Sequence, residues 1–192
     1  MVVLTDTCAI LMLLRIAPDM FRDEAYGCVT IKPVIDEIVQ KPSFKQKYPW
    51  RSEYLHHILP VTSGRLSEGL FDECYDDICE AVNYTSNKKT NRFYAEELSR
   101  VDKQIAAALM SLDATLCSGD RNLVHFVETQ LEISNCSPLK LVNDWLDAEL
   151  ITWDEQKQSV LSDWVQNENP QPHQEIQRFK KLAKREYPSS AC

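Results

Sequence analysis

No two of the seven cysteines, Cys8, Cys28, Cys74, Cys79, Cys117, Cys136 and Cys192, stand as a C-x-x-C pair, and their number is odd. That spacing argues against a disulfide framework and against a structural zinc site, and leaves reduced, mostly buried thiols. Long apolar runs are lacking too. Ala9 to Leu14 is too short to span a bilayer, and Asp6 lies where a signal peptide would carry positive charge. The expectation is a cytoplasmic protein that is not inserted in a membrane. Neither internal repeats nor low-complexity segments occur. Positive charge is scarce: 21 Lys and Arg face 29 Asp and Glu, a formal net charge of −8. Such a balance is unlike that of most phosphate binders, so any positive surface must be local. Gln174 to Tyr187 is one such place, with five basic side chains against two acidic ones. The four histidines, His56, His57, His125 and His173, are not spaced as a metal site and read as surface or packing residues.

What is present is an ordinary share of hydrophobic residues, 44% of 192, enough for one domain with an extension. Met1 to Thr5 is a short β-prone run that ends at Asp6 and feeds the apolar helix-like stretch Cys8 to Ile16. Cys28 to Ile31 reads as a second strand, with Pro33 opening a helix that carries Val34, Ile35, Ile38 and Val39. Lys41 to Pro60 is rich in aromatics and charge, and Leu66 to Val82 is helical in pattern; together they suggest a helical pair over the site. Ser99-x-x-Asp102 opens a helix with Ile105, Ala106 and Leu109 at helical spacing. Ala114 to Ser118 is then a strand running into Gly119-Asp120, and Leu131 to Ile133 a further short strand. After Pro138 the strand signal is gone, and Leu139 to Leu150, Asp154 to Asn167 and Gln174 to Tyr187 read as three helices. In the last, Ile176, Phe179 and Ala183 form an apolar stripe, the mark of a docked amphipathic helix. Strands alternating with helices imply a parallel sheet covered on both faces.

Four carboxylates interrupt this apolar pattern: Asp6, Glu37, Asp102 and Asp120. Each has an ordinary explanation by itself. Asp6 suits a helix cap, Asp102 the N3 place of a capping box with Ser99, Asp120 a Gly-Asp turn, and Glu37 a solvated helix face. Helical geometry does not choose between Asp36 and Glu37, which flank the apolar stripe at equal angles. Jointly they suggest more, since Asp6 and Asp120 both follow strands, where ligands of open α/β sheets bind.

The ordered set Val3-Leu4-Thr5-Asp6-Thr7, Pro33-Val34-Ile35-Asp36-Glu37-Ile38, Val101-Asp102-Lys103-Gln104-Ile105-Ala106-Ala107-Ala108 and Ser118-Gly119-Asp120-Arg121-Asn122 resembles the PIN-domain nucleases, in spacing the small toxin-type ribonucleases. The resemblance covers residues 1–146 and selects Glu37 over Asp36. It implies a three-layer α/β/α domain with a central parallel sheet over 1–146, followed by a helical C-terminal extension over 147–192. It further implies a metal-dependent endoribonuclease in which Asp6, Glu37, Asp102 and Asp120 are catalytic and bind Mg²⁺ or Mn²⁺, hard cations suited to carboxylate oxygens. Thr7 and Ser118 would orient the acids or bound water. Asn122 stands where many relatives carry another acid, so a ligand there is neutral or absent.

The implied substrate is RNA, single strands or loops, with Lys88, Lys89 and Arg92 beside Phe93 and Tyr94 as its contact. A toxin or defence effector with an antitoxin or other regulatory partner, and a homodimer, belong to the same expectation. Two alternatives stay open: a structure-specific DNA nuclease, and a catalytically silent module of the same fold that binds proteins.

Overall fold

Val3, Leu4 and Thr5 are all buried, as a strand covered on both faces requires, and they form β1 (Val3–Thr5) at the centre of the sheet. The computed structural model describes residues 2–22, 28–61, 65–87 and 98–189. Within them lie four short parallel strands, β1, β2 (Cys28–Val29), β3 (Thr115–Cys117) and β4 (Asn135–Cys136), in the spatial order β2-β1-β3-β4. Val3 stands beside Cys28 on one side and Thr115 on the other, Thr5 beside Cys117, and Cys117 beside Cys136. From β1 the chain goes to one side for β2 and returns to the other for β3. The strand order therefore reverses at β1, which places a crevice at the carboxyl ends of β1 and β3.

The helices are α1 (Thr7–Leu13), α2 (Lys32–Gln40), α3 (Pro42–Lys47), α4 (Arg51–Tyr54), α5 (Glu68–Asn87), α6 (Arg100–Leu112), α7 (Arg121–Gln130), α8 (Pro138–Asp147), α9 (Glu155–Asn167) and α10 (His173–Ala183). α1 is apolar almost all round and is correspondingly buried at Thr7 and from Ala9 to Leu13. In α6 the run Ile105 to Leu109 is buried, its alanines allowing α2 and α5 to pack closely. Arg51 is buried as well, and its guanidinium donates to the carbonyls of Ile38 (2.8 Å) and Tyr48 (3.3 Å), tying α4 to the end of α2.

One strand lies later in the chain than its sequence suggests. Leu131 to Ile133 is not β4; those residues end α7. Leu131 caps the helix, Glu132 takes the left-handed conformation at φ 56°, and the Ile133 N–H reaches back to the Val127 carbonyl at 3.2 Å. That closure occupies the last helical carbonyls, and Ile133 packs against the core from a turn. Pairing with β3 begins one step later, where the Leu116 N–H donates to the Ser134 carbonyl at 3.1 Å. No helix among the described residues is long and apolar enough to cross a membrane.

The helices after β4 share the core with the sheet. α10 docks on α8: Asn143, fully buried, donates from Nδ2 to the Glu175 carbonyl (2.9 Å) and to Glu175 Oε2 (2.8 Å), and Arg178 reaches Asp144 and Asp147. Phe179 is fully buried, edge-on to Trp153 at 4.7 Å and to Tyr187 at 6.0 Å. Phe179→Ala leaves a cavity among rings that have little room to collapse, a loss of ~3–5 kcal/mol. The check is urea unfolding: the midpoint should fall with an unchanged slope, and an unmoved midpoint would show that α10 does not depend on this ring.

Candidate active site

Asp6 is the first residue past β1 and the N-cap of α1. Its Oδ1 accepts the Ala9 N–H at 2.6 Å, and its own N–H bonds the Cys117 carbonyl at 3.2 Å, which fixes it against the end of β3. On Oδ2 it accepts the Ser118 hydroxyl. Ser118 Oγ in turn accepts the Asp120 N–H at 2.9 Å, so one buried serine holds two of the four acids in place. Asp120 caps α7, taking the N–H groups of Asn122 (2.8 Å) and Leu123 (3.0 Å) on Oδ1.

The other two acids arrive from helices. Thr7, next to Asp6, donates its hydroxyl to Glu37 Oε2 at 2.6 Å, and Lys41, one turn on, holds Glu37 Oε1 at 2.8 Å. Asp36 turns the other way, to an exposed pair with Lys32. Of the two acids that helical spacing leaves equivalent, Glu37 is the one that meets Thr7, the neighbour of Asp6. Asp102 closes a capping box: its N–H donates to Ser99 Oγ at 3.1 Å and its Oδ2 accepts the Ser99 N–H at 2.8 Å. The capping roles foreseen for Asp6 and Asp102 are therefore realised, and Asp120, expected in a Gly-Asp turn, caps α7. Capping does not separate these acids: Asp6 and Asp120 share Ser118, and the charge of Asp102 is felt at Asp6.

Charge confirms the proximity. Burial first of all pushes the Asp6 carboxyl up to about 7; the Ser118 and Ala9 hydrogen bonds oppose that rise, and the charges of Asp102 and Asp120 add to it. Burial likewise raises Asp102, against its bonds with Ser99 and with help from Asp120 and Glu37. Asp6 thus feels the charges of Asp102 and Asp120, and Asp102 those of Asp120 and Glu37. Among the described residues, however, no three histidine, cysteine, aspartate or glutamate side chains form a ready metal-binding group. The donors have the chemistry of a hard-cation site, oxygen only and strongly negative, with several oxygens already occupied by protein hydrogen bonds.

Beside Glu37 a groove of about 540 Å³ runs between α2 and α6, its lining including Gln40, Lys41, Arg100 and Gln104. Cys8, two residues after Asp6, feels the charges of Asp6 and Asp120 and also of Glu168 and Lys47. Asn169 donates from Nδ2 to the Gly119 carbonyl at 2.9 Å, touching the loop that carries Asp120. Lys41 had a sequence signal, the i,i+4 spacing from Glu37. Glu168 and Asn169 had none, since they come from a polar linker some fifty residues after the site loop. Lys88, Lys89 and Arg92, expected to contact RNA, lie outside the described residues. No protein family, curated protein or solved structure matches this chain.

The raised Asp6 gives a pH dependence of known sign. Its folded-state value, about 7, exceeds the ordinary 3.8, so the proton favours the fold. The contribution is fully present below pH 3.8 and is lost as pH rises to about 7. Asp6→Asn keeps a side-chain oxygen for Ala9 and cannot ionise. The wild-type melting temperature minus that of Asp6→Asn should therefore fall between pH 4 and 7 and stay level above it; a difference flat across that window would show that Asp6 is ionised throughout.

Proposed function

We propose that this chain is a PIN-like α/β/α nuclease that hydrolyses RNA phosphodiester bonds with Mg²⁺ or Mn²⁺, acting as an endoribonuclease. The observation that carries this reading is that Ser118 joins Asp6 and Asp120 at the carboxyl ends of β1 and β3, with the charge of Asp102 felt at Asp6 and those of Asp120 and Glu37 felt at Asp102. Buried carboxylates repelling one another are costly unless a cation relieves them, and a hard divalent ion is the cation this all-oxygen set suits. Asp6, Glu37, Asp102 and Asp120 would hold it. Such an ion, when bound, supplies polarisation of the scissile phosphate and activation of water.

The protein's own residues do the rest. Ser118 keeps Asp6 and the Asp120 loop at fixed separation. Thr7 aims Glu37, and Lys41 neutralises its second oxygen. Asp6, whose burial favours its neutral form, must release a proton when the acids take up positive charge near neutral pH. The groove along Lys41 and Arg100 offers two cations and two amides to a backbone approaching Glu37. A toxin or defence role, with an antitoxin or similar regulator and a second copy of the chain as partners, fits a small nuclease of this type.

A second reading is favoured by one observation. Protein hydrogen bonds already engage at least one oxygen of each acid, and both of Asp6 and Glu37, as in a module whose acids only cap and brace. The two readings part in the test tube. Under the nuclease reading Asp120→Asn and Asp6→Asn abolish RNA cleavage in Mn²⁺, Ser118→Ala lowers it by roughly 10–100-fold, and Asp36→Asn stays close to wild type. Labelled RNA and DNA digested side by side give the rates and the sugar preference. Wild-type rates in the Asp6 and Asp120 variants, with unchanged circular dichroism, would end the nuclease reading.

Metal should also act on stability. Mn²⁺ binding only the folded chain raises its melting temperature. Asp120→Asn retains the α7 cap and removes one repelling charge, so in EDTA it should melt above the wild type and gain less from Mn²⁺. An equal metal response in both proteins would remove Asp120 from the site.

A further inference from the structure

Where α9 meets α1 and the segment after α3, two cations each lie over an aromatic ring. The Arg15 guanidinium is 5.2 Å from the Trp50 ring and Lys47 Nζ is 5.0 Å from the Tyr48 ring. Cations resting on aromatic faces are the surface elements that hold the phosphates and bases of single strands. Both are covered by acids of α9 and its C-cap. Arg15 Nη1 meets Asp163 Oδ2 at 3.0 Å, and Lys47 Nζ meets Glu168 Oε1 at 2.8 Å and the Asn167 carbonyl at 2.9 Å. The Tyr48 hydroxyl donates to the same Glu168 oxygen. Between the two pairs lies an open pocket of about 260 Å³, whose walls include Met12, Trp50 and Trp164. The whole arrangement borders the acid crevice: Cys8 feels Glu168, Lys47, Asp6 and Asp120 together, and Asn169 is bonded to Gly119.

We infer that Asp163 and Glu168 stand in for two backbone phosphates on an RNA-binding surface formed by Arg15, Lys47, Tyr48 and Trp50. The C-terminal segment is thus an internal competitor that lies on the path of the strand leading to the crevice. RNA as the ligand rests on the nuclease reading; the mimicry rests on the two cation–aromatic pairs and on what covers them. A carboxylate and a phosphate present the same anionic oxygens to a lysine or an arginine. Ion pairs with solvent-exposed members are weak, and Asp163 is 56% exposed, so a strand phosphate can displace it from Arg15; Glu168, 12% exposed and also bonded by the buried Tyr48 hydroxyl, is the firmer of the two covers. A chain of net charge −8 has few positive surfaces, and covering this one keeps it from binding nucleic acid indiscriminately.

The test is binding of a fluorescein-labelled, 2′-O-methylated single-stranded oligoribonucleotide by the full chain in EDTA, followed by anisotropy across a salt series. Asp163→Asn with Glu168→Gln keeps the hydrogen-bonding shapes and removes both charges. This double variant should bind several-fold more tightly than wild type, with a salt slope steeper by about 0.7 per uncovered cation. Adding Lys47→Met should cancel the Lys47 share. A control that removes two charges elsewhere, Asp77→Asn with Glu80→Gln on the exposed face of α5, should give no comparable gain. Equal affinity and slope in wild type and double variant, or an equal gain in the control, would overturn the inference. Cleavage in Mn²⁺ is a separate readout. A wild type that cleaves while the double variant binds no more tightly ends the mimicry and leaves the nuclease. A double variant that binds more tightly in a chain that never cleaves ends the nuclease and leaves the mimicry. No RNA binding by any variant overturns both.

Discussion

The Asp6 carboxylate, gripped by the Ala9 N–H on one oxygen and the Ser118 hydroxyl on the other, is the constraint from which the crevice is built. It joins the end of β1 to the start of α1 and, through Ser118, to the end of β3. Because Ser118 also receives the Asp120 N–H, the loop opening α7 is placed by the same contact. Thr7, the next residue, then sets Glu37. A single buried acid thereby positions two strands, two helix starts and one side chain of α2. Leaving such a group unbonded in this interior would cost more than most single contacts return, so its partners are obligatory.

The four acids also show how a site is assembled from ordinary folding devices. A helix start needs acceptors for its first N–H groups, and Asp6 and Asp120 meet that need as caps, as Asp102 and Ser99 do in their box. These helix starts bring three capping acids into one electrostatic neighbourhood. The helices favour negative charge at these ends, and the acids disfavour one another. The balance lies against Asp6, whose burial outweighs its hydrogen bonds.

Much of this was legible in the chain. β1 and the buried α1 follow from an unbroken apolar run split by one acid, and Ser99-x-x-Asp102 marks its helix start by a local rule. The three C-terminal helices follow from periodicity. Other features were not legible. Leu131 to Ile133 has strand-forming residues, yet helix termination claims them, and a competition between two local uses of the same backbone leaves no compositional trace. Asp36 and Glu37 are equivalent on a helical wheel, and only Thr7, thirty residues away, distinguishes them. The Lys47, Glu168 and Asn169 contacts join segments 121 and 50 residues apart, a separation across which spacing carries no information.

Phe179 sits at the bottom of a core begun by Val3, and chains grow from the amino end. A ribosome therefore finishes all four strands before it makes the ring that fills the seat between Trp153 and Tyr187. Until then the sheet stands with one wall unfinished, α8 lacks its neighbour, and Asn143 has no Glu175 to bond. The order of synthesis thus places the α10 partners of Asn143 and Trp153 after every strand of the sheet.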